Sequence, residues 1–191
     1  HHYLGAGALC GAQVRYVVRS GEEIVAVASF SAAALQVAAR DVFIGWSAAA
    51  RTRNRSLVIA QSRLCVCVDV KNLASQVQSL LVSRVAADWE EIYGVRPVLI
   101  ESYVDTTRFD GACYGAANWQ QIGSTKGRGR QDREHAASVS IKDVWVYPLD
   151  AKFRETLCVE PVRRIDETAD WAVTEWGDVD LGDARSTRRL L

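Results

Sequence analysis

One unit constrains this chain more than any other: the nearly continuous apolar run "RLCVCVDV" (63–70), a long amphipathic segment from Asn72, and a second apolar run, "RPVLIESYVD" (96–105). In the middle segment Leu73, Val77, Leu80, Leu81 and Val85 recur at three- and four-residue steps, which is the period of a helix with one buried stripe. Apolar runs on either side read as strands covered on both faces, as parallel neighbours are. A right-handed strand–helix–strand crossover joins them. Everything else must pack around that unit.

Ahead of it, "QVRYVVRS" (13–20) and "EIVAVASF" (23–30) flank Gly21 and Glu22 and read as a β-hairpin. "RDVFIGW" (40–46) reads as a third strand, and Ser47 as the N-cap of a helix over 48–60. After the crossover the sequence predicts a small-residue helix over 111–122 and then the short segment "IGST". A final strand over 139–149 stops at Pro148, and a helical turn or two lies in "AKFRETLC". The fold class expected is α/β (α+β), a mixed sheet flanked by helices. No internal repeat is visible.

Apolar residues make up 49% of the 191 and charged residues 24%, with zero formal net charge. That balance fits one globular domain and a tail. No run reaches the ~18 apolar residues of a membrane-spanning helix, so a cytoplasmic, membrane-free protein is expected. Zero net charge means that any affinity for DNA must come from local patches. Five cysteines, Cys10, Cys65, Cys67, Cys113 and Cys158, lack the paired spacing or nearby histidine of a zinc site. They read as reduced core thiols, and no metal site is expected. There is no methionine, even at position 1, so the chain is expected to begin inside a longer reading frame.

Two kinds of site are legible. Glu101, Tyr103 and Asp105 alternate on one strand face, with Asp105 at the carboxyl end, where open α/β sheets gather ligands. Tyr114 and Asn118, four apart on the expected helix, share a face and would line one cleft with Asp105. The plainer reading is an ordinary strand-to-helix joint, in which Asp105 caps and Tyr114 packs. The second kind is basic. "KGRGRQDRE" carries Lys126, Arg128, Arg130 and Arg133, and the stretch 47–63 carries Arg51 and Arg55 on one helical face; guanidinium forks match phosphate geometry. The pair His1–His2 reads as a tag remnant, a metal site or a catalytic base held near neutrality.

The stretches "HHYLG", "RYVVRSG", "RDVFIGWS", "NLASQVQSLLVSR", "GVRPVLIESYVD", "FDGACYGAANWQQIGSTKGRGRQDR" and "KDVWVYPL" together resemble the uncharacterised domain of the DruA family of Druantia anti-phage components. Its relatives also occur fused to insertion-sequence transposases. The resemblance spans about 1–158. Residues 159–170 read as a polar linker. "WAVTEWGDVDLGDARSTRRLL" (171–191) resembles the truncated start of the N-terminal DNA-binding domain of cut-and-paste DDE transposases, which implies downstream transposase domains in the same polypeptide and no DDE triad here.

The element order is also similar to the GNAT acyltransferase fold. The spacing of His2-Tyr3, Asn72 with Ser75, Asp105, Gly111, Tyr114, Ala116 and Asn118 is similar to Mom-type DNA-modification proteins. Those likenesses imply a transferase in which Asp105 or His2 is the base, Tyr114 the acid or hydrogen-bond donor, and Asn72 the residue that orients a nucleobase or other small acceptor. The glycine-rich pyrophosphate loop of acetyl-CoA enzymes is replaced by "DVKNLAS". That departure argues against coenzyme A and leaves the cofactor open, though backbone amides at that helix start can hold an anion. The expectation is a DNA-associated accessory domain binding through basic loops. A group-transfer enzyme and a non-catalytic scaffold are the alternatives.

Overall fold

The computed structural model describes residues 11–127 and 140–160. Six strands form one mixed sheet in the order β1-β2-β3-β4-β6-β5. Strands β1 (Gln13–Ser20) and β2 (Glu23–Ala32) make the expected hairpin, turning at Gly21 with φ 59°. Strand β3 (Val58–Val66) lies antiparallel to β2. The long helix α3 (Leu73–Tyr93) then crosses over to β4 (Leu99–Asp105), which pairs with β3 in parallel. Strand β6 (Lys142–Pro148) slots antiparallel between β4 and the short β5 (Gln120–Ser124). The mixed sheet flanked by helices is the architecture the sequence implies.

Two cores follow from strand alternation. On one face Phe30, Ile59 and Ile100 pack with Val77, Leu81 and Val85 of α3 and with Tyr114, Trp119 and Trp145. On the other, Val58, Leu99 and Val146 pack with Ile44, Ala50, Phe153 and Leu157. These come from three short helices, α1 (Ala38–Ile44), α2 (Ala48–Asn54) and α5 (Phe153–Leu157).

Several local expectations are corrected. Residues 40–46 are not a strand: 38–44 are helical and Gly45 ends the helix at φ 81°. A strand would have used Val42, which is 83% exposed, whereas the helix buries Arg40 and Ile44, one turn apart. Ser47 does cap α2, its Oγ accepting from the Ala50 amide at 3.0 Å. That helix ends at Asn54, however, and after a 3-10 turn (Arg55–Leu57) the apolar "VIA" opens β3. The strand expected over 63–70 therefore starts earlier and ends at Val66. The helix after β4 is only α4 (Ala112–Ala116). Asn118 sits at φ 63° and turns the chain into β5, because Gly111, Gly115 and Asn118 punctuate too closely for a longer helix.

Candidate ligand cleft

The parallel ladder between β3 and β4 runs for four residue pairs, from Val58 opposite Leu99 to Gln61 opposite Ser102. Beyond it β3 follows β2 and β4 follows β6, so the two strands part. Buried polar groups fill the apex of the split. Gln61 and Gln78 exchange amide hydrogen bonds at 2.9 and 3.0 Å. Ser102 Oγ donates to the Gln61 carbonyl at 3.3 Å and shares a 2.9 Å hydrogen bond with the Tyr114 hydroxyl. Each amide satisfies the other, which makes so polar an apex tolerable in a core.

Past the carboxyl ends of these strands opens a cleft of about 670 Å³, walled by the segment 66–70, the first turn of α3 and one side of α4. Apolar surface comes from Val66, Val68, Leu73, Ala112 and Ala116. The α3 end supplies polarity. The Leu73 amide donates to Val70 and the Gln76 amide to Asn72, while the amides of Ala74 and Ser75 have no protein acceptor among the described residues. Free amides at a helix start carry the positive end of its dipole. Asn72, from which the sequence starts the helix, sits at φ 62° and makes no side-chain cap; its carbonyl receives Ser75 Oγ at 2.9 Å. It lines the cleft beside Cys113, whose thiol burial pushes up, so it stays protonated and is a poor nucleophile.

The expected triad of Asp105, Tyr114 and Asn118 is not brought together. Ser102 and Asp105 stand three apart on β4 and so face opposite sides of the sheet. Tyr114 bonds to Ser102 and packs edge-on to Trp119, with Trp145 at 5.9 Å between centroids. Asp105 instead closes a turn. Its Oδ1 accepts from the Thr107 amide (3.1 Å) and hydroxyl (2.7 Å), and its Oδ2 from Ser140 (2.9 Å). The Thr107 hydroxyl, outweighing partial desolvation, holds the carboxyl below its ordinary range, which is the wrong direction for a base at neutral pH. Asn118 is exposed in the turn after α4.

Glu101 is 0% exposed and points away from the cleft. It accepts from Arg40 Nη1 (2.9 Å), the Ala34 amide (3.1 Å) and the Tyr103 hydroxyl (2.7 Å). Arg51 is tied to Asp41 at 2.9 Å, Arg55 is half-buried after α2, and Lys126 is exposed after β5. His2, Arg128, Arg130 and Arg133 lie outside the described residues, as do the expected linker beyond residue 160 and the transposase-like segment.

Sequence reasoning missed Arg40, the Gln61–Gln78 pair, Cys113 and the indole of Trp145. Two glutamines within apolar runs, four positions before Cys65 and one after Val77, were the available signal for the second of these.

Coenzyme A does not fit the cleft. Among the described residues no lysine or arginine lines it, so the two charges of a pyrophosphate would lie unpaired beside Asp69, and side chains occupy the turn at 68–72 where a pyrophosphate needs bare backbone. What the site and sheet define is a mixed α/β domain with a ligand cleft where two parallel strands part. The chain belongs to the family of the Druantia protein DruA, whose family model matches residues 1–146. The comparison with curated proteins gave no match. Among solved structures the chain is similar to an aminoglycoside acetyltransferase in complex with coenzyme A and kanamycin, with 13% identity and TM-score 0.46. It is similar also to that acetyltransferase with coenzyme A alone (14%, 0.46) and with coenzyme A and ribostamycin (14%, 0.46). Each match covers 71% of this chain, which spans 66%, 66% and 64% of theirs.

Proposed function

We propose that this chain serves anti-phage defence as a ligand-binding domain of the group-transfer type, with the cleft beyond β3 and β4 as its working site. The observation that carries this reading is the pair of unused amides, Ala74 and Ser75, beside the apolar side chains Val66, Val68, Leu73, Ala112 and Ala116 in a cleft whose lining has Asp69 as its one carboxylate among the described residues. Such a cleft suits a ligand with one anionic head and an apolar body: the head takes the helix-start amides and the body lies along Val68, Leu73 and Ala116. Asn72 orients the ligand. Asp105 and Tyr114 hold the sheet end and the apex and stay clear of the ligand.

The test uses 1-anilinonaphthalene-8-sulfonate, which has that shape. Ala116 is exposed on the cleft wall, so Ala116→Trp fills the cleft without touching the core. Fluorescence titration is expected to show about tenfold weaker binding or worse in that variant, and amide shifts at Ala74 and Ser75 in the parent only. Equal binding by parent and variant overturns the reading.

A second reading, contact with DNA, is favoured by the open face of the sheet. Arg15, Ser29 and Arg63 form one cross-strand row, and Arg19 lies four residues along β1 on the same face. None of the three arginines is in an ion pair among the described residues. The only carboxylate within β1, β2 and β3 is Glu23, which pairs with Ser20 on the other face. This face offers phosphate contacts to DNA, including DNA held by downstream transposase domains. Changing all three arginines to glutamine is expected to flatten the log Kd against log salt slope by about 2.7, since each phosphate contact contributes about 0.9. An unchanged slope rejects this reading.

A further inference from the structure

Away from the cleft, beside the amino end of β3, lies a hollow of about 300 Å³. One wall is cationic: Arg53 at the end of α2 and Arg55 in the 3-10 turn. The opposite wall is aromatic, made of Trp89 and Tyr93 from the last turns of α3, and Ala32 and Ala33 leave the floor low. Neither guanidinium is in an ion pair or side-chain hydrogen bond among the described residues, and no aspartate or glutamate lines the hollow. Two arginines sharing one hollow repel each other, and folded chains ordinarily relieve that with a carboxylate. An anion seated between them would satisfy both guanidiniums.

The aromatic wall narrows its identity. The Tyr93 hydroxyl donates to the Gln13 carbonyl and accepts from the Gln13 amide, both at 2.8 Å. These bonds fix a ring that packs on Trp89 at 4.8 Å between centroids and still leaves the residue 38% exposed. A fixed, partly exposed ring facing low alanines accepts a flat heterocycle. The volume stands at the small end of ligand sites, enough for a single nucleotide.

We propose that this hollow is a nucleotide site, with Arg53 and Arg55 taking the phosphate and Tyr93 the base. The same chemistry is offered by a free nucleotide and by the 5′-phosphorylated end of a DNA strand. The inference stands independently of the cleft, whose probe and variant are different.

Isothermal titration of the full chain decides it, with deoxyadenosine monophosphate, inorganic phosphate, deoxyadenosine, and a ten-nucleotide DNA bearing a 5′-phosphate or a 5′-hydroxyl. The monophosphate is expected to bind about tenfold tighter than either fragment, and R53Q/R55Q to weaken it by about thirtyfold, the scale of two charge-assisted contacts. Lys152→Gln, at an exposed position ahead of α5, leaves it unchanged. A preference for the 5′-phosphorylated strand over the monophosphate assigns the site to DNA ends, and the reverse order assigns it to free nucleotides. Inorganic phosphate binding as tightly as the monophosphate overturns the proposal, as does equal affinity in R53Q/R55Q. Should the double variant not fold, exposed Arg53→Gln alone is expected to lose about threefold, and no loss there rejects the site.

Discussion

A methyl group at position 111 would sit 2.7 Å from Cζ2 of Trp145, on a backbone already at φ +75°. The small residues of 111–117 promise close approach to the main chain, and what approaches is the chain's own indole. Gly111→Ala is expected to cost about 3 kcal/mol, combining left-handed strain with overpacking. Gly94→Ala, at φ +68° with open space around it, is expected to cost about 1 kcal/mol. Urea denaturation of the two variants separates these effects. At Asp105 the prediction concerns pH. Its folded carboxyl titrates below the unfolded one, so its contribution to stability is present above the ordinary carboxylate range and is lost as pH falls through the folded value. Thr107→Val removes the 2.7 Å hydrogen bond. Carbon NMR titration is expected to place Asp105 nearer the ordinary value of about 3.9, and acid unfolding is expected to begin at higher pH.

Among the elements, α3 shows how far periodicity carries. Val77, Leu81 and Val85 are buried as their spacing requires, whereas Leu80, in the same apparent stripe, is 51% exposed. Leu81→Ala is expected to cost about 3 kcal/mol and Leu80→Ala no more than about 0.5 kcal/mol, both read from thermal or urea unfolding. The hairpin, α3 and β4 were legible because each repeats one pattern over seven or more residues. Helix α1 was not, and α4 was legible in place but not in length. Each is seven residues or shorter, too short to establish a period, and Val42, Phe43 and Ile44 side by side fit a strand as well as a helix. The candidate site divided in the same way. Asn72, named through the Mom-type spacing, lines the candidate cleft, while the separation of Tyr114 from Asp105 depended on which face of β4 each meets.

Across the whole molecule, one buried pair ties α1 to the centre of the sheet. Arg40 and Glu101, 61 positions apart, are both 0% exposed and meet at 2.9 Å. Burial pushes the Glu101 carboxyl up, against the opposing pull of Arg40, the Tyr103 hydroxyl and the Ala34 amide. Arg40→Met removes the strongest of those opponents and strands a carboxylate in the core. The expected loss is about 3–5 kcal/mol. R40M/E101L, which removes both charges, is expected to recover most of it in a double-mutant cycle.

The sequence alone determined the crossover unit, the hairpin and the mixed sheet, because hydrophobic period and turn residues act over a few neighbouring positions. It also carried the resemblance that family membership bears out. Only the tertiary structure decided which side chains share a hollow. A strand face changes with every residue, so the side on which Ser102 meets Tyr114 and the side on which Glu101 meets Arg40 are fixed by packing between elements distant in the chain. The parting of β3 from β4, which opens the cleft, follows from the partners each strand keeps on its other edge.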